Sequence, residues 1–126
     1  MSEQSRKQAL RPRAGEMVSL NVMEEAARLR AKPEWLSRDR LAASLVKDDA
    51  LNILLVVLKK GVRLTEHRTK GPVAVYVLSG SVRFFAGSEE VELSSGSMAA
   101  LDRNIAHTLE ALEESTVLIT TAISES

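Results

Sequence analysis

From residue 41 onward the sequence alternates between short apolar runs and clusters of Gly, Asp, Asn, Ser and Pro. Runs of this length, rich in β-branched residues and bounded by turn residues, predict β-strands. The predicted strands are Leu41–Lys47, Leu51–Lys59, Arg63–Arg68, Val73–Leu78, Val82–Phe85, Val91–Leu93, Met98–Leu101, Ile105–Glu110 and Thr116–Ala122. Since no helical pattern separates them, we expect an all-β fold in which antiparallel strands form a sandwich or barrel.

A helical pattern precedes the strands. Asn21 can cap a helix N-terminus, and Glu24 follows three residues later. Apolar residues at helical spacing follow, and Pro33 prevents further propagation, so the pattern predicts one short α-helix over Val22–Ala31. Residues 1–16 are polar and without periodicity, which indicates a flexible N-terminal arm. Residues 17–126 are expected to form a single domain.

Composition and charge narrow the function classes. Lys plus Arg and Asp plus Glu number 17 each, so the net charge is zero and neither nucleic acid nor an acidic membrane surface is an expected partner. The absence of cysteine excludes disulfides, thiolate metal sites and a cysteine nucleophile. Because residues 1–17 lack the apolar stretch of a secretory signal and no apolar run could span a bilayer, we expect a cytoplasmic protein.

The chain has two histidines, and each lies in a segment that begins with a glycine. Five residues separate Gly61 from His67, and Gly80 follows further along. In the second segment five residues separate Gly96 from Asp102, and His107 comes after Asn104 and two further residues.

These two segments resemble the two sequence motifs of the cupin family. The first motif is Gly, five residues, His-any-His, three or four residues, Glu, six residues and Gly; the second is Gly, five residues, Pro-any-Gly, two residues and His. The positions that match in register are Gly61, His67, Gly80, Gly96 and His107. Asn104 stands at a motif glycine, and asparagine tolerates the left-handed conformation. The resemblance covers about residues 51–122 and implies a double-stranded β-helix, that is a jelly-roll barrel, and a homodimer.

Two departures from the motifs affect the metal site that the resemblance implies. The family holds its metal with three His and one Glu, but Thr69 stands at the second His and Val73 at the Glu. His67 and His107 are the remaining candidate ligands, so we expect either no cofactor or a weakly held divalent metal. Two further interpretations stay open: these histidines are hydrogen-bonded pocket residues, or they recognise or protonate a small anion.

Strand alternation places Val73, Val75 and Val77 on one inward face. We therefore predict a pocket for an unknown small molecule, lined by His67, Thr69, Val73, Val75 and His107; a plain hydrophobic barrel core is the alternative for the valines. The leading hypothesis is a small-molecule-binding cupin with a regulatory or sensing role. The alternatives are an enzyme, either an isomerase or lyase or an oxygenase, that uses His67 and His107 as acid/base groups or metal ligands, and a purely structural dimeric barrel. Whether the chain is an enzyme stays open.

Overall fold

The structure is a computed structural model that describes residues 17–67 and 69–122, without the side chains of Glu66 and His67. One α-helix, α1 (Val22–Arg30), and a 3-10 helix (Pro33–Leu36) precede nine strands. The strands are β1 (Arg40–Lys47), β2 (Leu51–Leu58), β3 (Arg63–His67), β4 (Val73–Ser79), β5 (Ser81–Ala86), β6 (Glu89–Ser94), β7 (Met98–Leu101), β8 (His107–Ala111) and β9 (Ser115–Ala122). All nine predicted strands are confirmed, with ends that differ by no more than two residues.

The strands form two antiparallel sheets. One sheet has five strands in the order β1-β2-β9-β4-β7, and the other has four in the order β3-β8-β5-β6. The two sheets bury a common apolar core between their inner faces. Its buried residues include Val56, Leu58, Val75, Val77 and Val117 of the first sheet and Val82, Phe84, Leu93 and Leu109 of the second. The predicted all-β jelly-roll fold with one N-terminal helix is therefore confirmed.

A second core lies on the outer face of the five-stranded sheet, under α1. Ala26 and Leu29 of the helix pack there against Leu45, Leu55 and Val57. Strand β2 is thus buried on both faces, because its alternate residues belong to the core between the sheets. Burial on both faces explains why β2 is an almost uninterrupted apolar run rather than an alternating one.

The helix begins where the sequence predicts. The Asn21 side chain accepts a hydrogen bond of 3.0 Å from the Glu24 backbone N–H, which satisfies one of the unpaired donors of the first turn. The helix ends at Arg30, and Pro33 opens the 3-10 helix, which the sequence pattern did not predict. Proline fits there because the first position of a helix needs no backbone N–H donor.

Two residues with positive φ shape the loops near the barrel ends. Gly80, between β4 and β5, has φ +92°, and Asn104, between β7 and β8, has φ +62°. Asn104 has the left-handed conformation that the sequence analysis assigned to it as a residue at a motif glycine, and at Gly80 glycine adopts a positive φ without steric cost. A side chain on Gly80 would collide with the Glu114–Ser115 backbone, so this hairpin requires glycine for space as well as for conformation.

Two further predictions concern the ends of the chain and its location. The predicted N-terminal arm over residues 1–16 lies outside the described residues. Within residues 17–67 and 69–122, no helix is long and apolar enough to cross a membrane. The cytoplasmic location stays a prediction.

Candidate functional site

The backbone brings the two histidine positions together. Strands β3 and β8 pair antiparallel, with Leu64 opposite Leu109 and His67 opposite His107. Between these pairs β3 has one residue more than β8, which is a β-bulge. Without a bulge, alternation from Leu64 would place Glu66 on the Leu64 face and directly opposite His107. The extra residue shifts the register by one position, so His67 is the direct partner of His107 instead.

His107 is a buried histidine with a defined hydrogen bond. It is 5% exposed, and its Nδ1 lies 3.0 Å from the backbone oxygen of Ile105. Because a carbonyl oxygen only accepts, Nδ1 carries the proton in this contact, and Nε2 holds the lone pair when the ring is neutral. The ring also packs on Phe84, with 5.8 Å between the centroids. Nε2 is therefore the atom that could bind a metal or accept a proton.

The other two motif positions hold side chains that do not suit a metal. Thr69 lies beyond the end of β3, and its Oγ1 donates a 2.9 Å hydrogen bond to the Gly71 backbone oxygen. Val73 is 2% exposed and pairs with Leu101 on one side and Thr121 on the other. An apolar side chain thus occupies the position where the family's carboxylate would neutralise the charge of a divalent ion.

The donor set does not fit the complete metal site that the family uses. Among the side chains that the structure describes, no group of three or more His, Cys, Asp and Glu residues could hold a metal ion. Two imidazoles alone leave a divalent metal dependent on water for the rest of its ligands. The role of His67 and His107 as weak metal ligands stays a prediction.

A pocket of about 500 Å³ lies between β3 and the inner face of β1, β2 and β9. Its polar lining residues are Arg40, Ser44, Lys47, Asn52, Thr65 and Thr121. Its apolar lining residues are Ala42, Ile53, Leu54, Val56, Leu64 and Ile119. None of the predicted pocket residues with a described side chain, namely Thr69, Val73, Val75 and His107, lines this pocket. Val73 and Val75 instead lie on β4, directly beside Thr121 and Ile119 of the lining.

The pocket lining changes from polar to apolar along the strands, and Arg40 adds a cation beyond the apolar row. Cross-strand partners form three successive rows, which are Lys47–Asn52–Thr121, Ser44–Leu54–Ile119 and Ala42–Val56. The first row is polar throughout, the second is mixed and the third is apolar. Residues in one row lie within contact distance of the same small molecule, because directly opposed residues on neighbouring strands have Cβ atoms about 5 Å apart. The pocket is therefore suited to an amphipathic molecule.

Two cationic residues line the pocket, and their surroundings differ. Arg40 forms two hydrogen bonds with the Asp39 carboxylate, of 3.1 and 3.2 Å. The hydrogen bond from Arg40 holds the pKa of Asp39 below its usual value, so the pair is balanced near neutral pH. Lys47 makes no ion pair with any residue in the described ranges. No carboxylate is among the lining residues whose side chains the structure describes.

Asn52 is the other unusual group in the lining. Its side-chain oxygen is buried and receives no hydrogen bond from any group that the structure describes. A buried acceptor without a donor is uncommon, because it has lost its water without gaining a partner. The residue stands beside Lys47 in the polar row.

The sequence analysis missed this pocket, although the sequence carries a signal for it. Strand β1 alternates between apolar Leu41, Ala43 and Leu45, which pack toward α1, and Arg40, Ala42 and Ser44, which line the pocket. The polar face of β1 therefore lies along the pocket, where Ala42 and Ser44 remain exposed to solvent. The second signal is Asn52, a single amide within the apolar run of β2.

The comparisons with known proteins agree with this architecture. The family model for the cupin domain matches residues 54–123, which is more than half of the chain. A comparison with curated protein sequences finds no match. Among solved structures, a conserved protein of unknown function from Streptococcus pyogenes is similar, with 27% identity and a TM-score of 0.67; the match covers 71% of this chain and 79% of that one.

Two further structures share the fold at lower identity. A cupin superfamily protein from Desulfitobacterium hafniense has 18% identity and a TM-score of 0.66, over 68% of this chain and 78% of its own. KdgF from Halomonas sp. has 20% identity and a TM-score of 0.62, over 75% of this chain and 85% of its own. The motif glycines, the paired histidine positions, the two-sheet barrel and the matching family model lead to one conclusion. The chain belongs to the cupin family.

Proposed function

We propose that this cupin domain binds a small organic molecule in a regulatory or sensing role, and that binding does not depend on a divalent metal. The observation that carries the proposal is the pocket of about 500 Å³ between β3 and the inner face of β1, β2 and β9. A plain structural barrel would instead be filled with side chains at these inner positions. The polar row beside an apolar wall is typical of sites that bind and orient a small ligand.

The lining supports binding more than chemistry. It contains amide, hydroxyl and cationic groups, and among the side chains that the structure describes, no His, Asp, Glu or Cys lines it. These last four types supply most general acids, general bases and nucleophiles near neutral pH.

Strand β2 supports the sensing role, because it contacts both the pocket and the N-terminal helix. Leu54 and Val56 line the pocket, while Leu55 and Val57 of the same strand pack in the core under α1. A ligand that shifts β2 would therefore alter the packing of the helix. Slower amide hydrogen exchange in α1 on ligand binding, with unchanged exchange in β6 at the far edge of the other sheet, is the expected result.

A pocket-filling variant with a matched control tests the proposal. Ser44 and Ser94 are both exposed residues on edge strands, β1 and β6 respectively, but only Ser44 lines the pocket. Ligand-observed NMR of a small-molecule library with chelator-treated protein should identify compounds that bind wild type and Ser94→Phe but not Ser44→Phe. Binders that are insensitive to Ser44→Phe, or that bind only when metal is restored, would contradict the proposal.

The enzyme alternative has one observation in its favour. His107 is buried, its Nδ1 donates to a carbonyl oxygen, and its backbone partner is His67. Such a pair could move a proton on a molecule bound between the sheets. If the chain is an acid/base enzyme, His107→Gln will abolish turnover of a compound that still binds with unchanged affinity. The homodimer that family membership implies stays a prediction.

A further inference from the structure

We infer that two copies of this chain associate through the outer face of β9, β4 and β7, with Tyr76 and Met98 at the centre of the contact. The inference goes beyond the proposed binding function, because this face points away from the pocket and needs no ligand. We call the surface the outer patch. It consists of two rows of cross-strand partners, which are Leu118–Tyr76–Met98 and Thr120–Ala74–Ala100.

The outer patch is apolar and accessible at its centre. Tyr76 is 37% exposed and Met98 is 58% exposed, and as direct cross-strand partners they form one continuous surface. Helix α1 covers the other half of this sheet face, where it packs against Leu45, Leu55 and Val57. Among the described residues no comparable element covers the outer patch. Tyr and Met are enriched in protein–protein interfaces, so this surface is suited to contact another protein.

The strands of the outer patch carry no charge. β4, β7 and β9 contain no Lys, Arg, Asp or Glu, although 27% of the residues in the chain are charged. The outer face of the other sheet has the opposite character, because Arg83 there lies beside Glu90 and Glu92. Charged residues are depleted at the centre of protein interfaces, so the composition of these strands favours contact with protein over contact with water.

The edge strand of the outer patch also lacks the protection that edge strands usually have. Charged side chains on an edge strand commonly prevent unwanted pairing with another chain. Of the four edge strands that the structure describes, three carry such charges and β7 (Met98–Leu101) carries none. The charged residues on the other three edges are Arg40 and Lys47 of β1, Arg63 of β3, and Glu89, Glu90 and Glu92 of β6.

The absence of charge favours a second copy as the partner. In a twofold symmetric dimer both copies use the same surface, so a charge near the axis would meet the same charge of the other copy. An uncharged patch avoids this repulsion and is complementary to itself. A charged surface of a different protein would lose water on contact with the outer patch and would gain no opposite charge.

The size of the outer patch indicates the strength of association. Three strands about 4.8 Å apart form a patch about 15 Å wide. Such a patch is smaller than the roughly 800 Å² per partner of a standard interface, so we expect a weak dimer with a Kd on the order of 10–100 µM.

Charge substitutions at Met98 test the contact by analytical ultracentrifugation of the full chain. Met98→Lys and Met98→Glu should each weaken association at least tenfold, because each places like charges beside one another at the axis. An equimolar mixture of the two variants should associate within about threefold of wild type, since Lys then meets Glu. Val91→Lys is the control, because Val91 is an apolar residue that is 45% exposed on β6 of the other sheet. It should leave association unchanged.

Amide NMR signals of wild type at increasing dilution provide a second measurement without any substitution. Signals of β4 and β7 should shift with concentration, while those of β6 should not. A wild-type chain that remains monomeric at about 1 mM, roughly tenfold above the expected Kd, would overturn the inference. Association that Met98→Lys leaves unchanged would also overturn it, as would a mixture of Met98→Lys and Met98→Glu that fails to associate.

Discussion

Gly80→Ala should be the most destabilising Gly→Ala substitution among the described glycines with positive φ. Gly80 joins β4 to β5 with φ +92°. An added Cβ would lie 2.7 Å from the Ser115 Cα, and closer still to the Ser115 hydroxyl and the Glu114 carbonyl oxygen. Because two of these three atoms belong to the backbone, a rotamer change cannot relieve the collision.

The expected loss in the free energy of unfolding follows from two effects. The left-handed conformation costs an alanine about 1–2 kcal/mol. Displacing Ser115 also disturbs two hydrogen bonds between its hydroxyl and the Ser81 backbone. The hydroxyl accepts from the Ser81 N–H at 3.1 Å and donates to the Ser81 oxygen at 3.2 Å. Each hydrogen bond contributes about 1 kcal/mol. Because alanine has fewer backbone conformations than glycine in the unfolded chain, the substitution loses less entropy on folding, which offsets about 0.4–1 kcal/mol of this destabilisation. The net loss should be roughly 2–4 kcal/mol.

Gly61→Ala is the matched control. Gly61 has φ +86°, and an added Cβ would meet no atom within 4 Å. It carries the conformational cost alone, so its expected loss is about 1 kcal/mol. Urea unfolding followed by the fluorescence of Trp35, the one tryptophan, measures both variants. If the two variants lose the same stability within about half a kcal/mol, the close approach of Gly80 to the Glu114–Ser115 backbone is refuted.

Three further predictions concern the metal and the helix. Wild-type protein dialysed against a mild chelator should retain clearly less than one equivalent of divalent metal by elemental analysis; one tightly held equivalent would contradict this. The double substitution Thr69→His with Val73→Glu should cost a few kcal/mol without metal, since it buries a carboxylate, and nickel should restore the melting temperature. An unchanged melting temperature with nickel would show that the ligands do not converge. Leu29→Ala should cost about 2–4 kcal/mol in urea unfolding, because it leaves a cavity under α1, whereas exposed Ala27→Gly should cost about 1 kcal/mol.

The fold was predictable because its signals are local. Short β-rich runs between turn residues mark each strand, and the positive φ of Gly80 and Asn104 follows from the residue types that tolerate it. The order of the strands within each sheet could not be derived from these runs. The resemblance to the cupin motifs, whose glycines and histidines fixed the alignment, predicted the jelly-roll barrel but no strand order.

The pocket was less predictable because it depends on long-range contacts. Alternation along β1 shows that Arg40 and Ser44 share a face, but not which face meets the barrel. The answer depends on α1, which covers the apolar side of β1 from outside. The bulge before His67 is also invisible in the sequence, since the five residues of β3 are too few for a one-residue shift of the alternation to show.

The most direct test of the account is the position of a bound ligand. A crystal structure of metal-depleted protein, soaked with the tightest compound from the library, should show that compound between β3 and the inner face of β1, β2 and β9. Its polar end should lie beside the polar row of Lys47, Asn52 and Thr121, with no metal present. A compound that binds only when a metal ion bridges it to His67 and His107 would contradict the account.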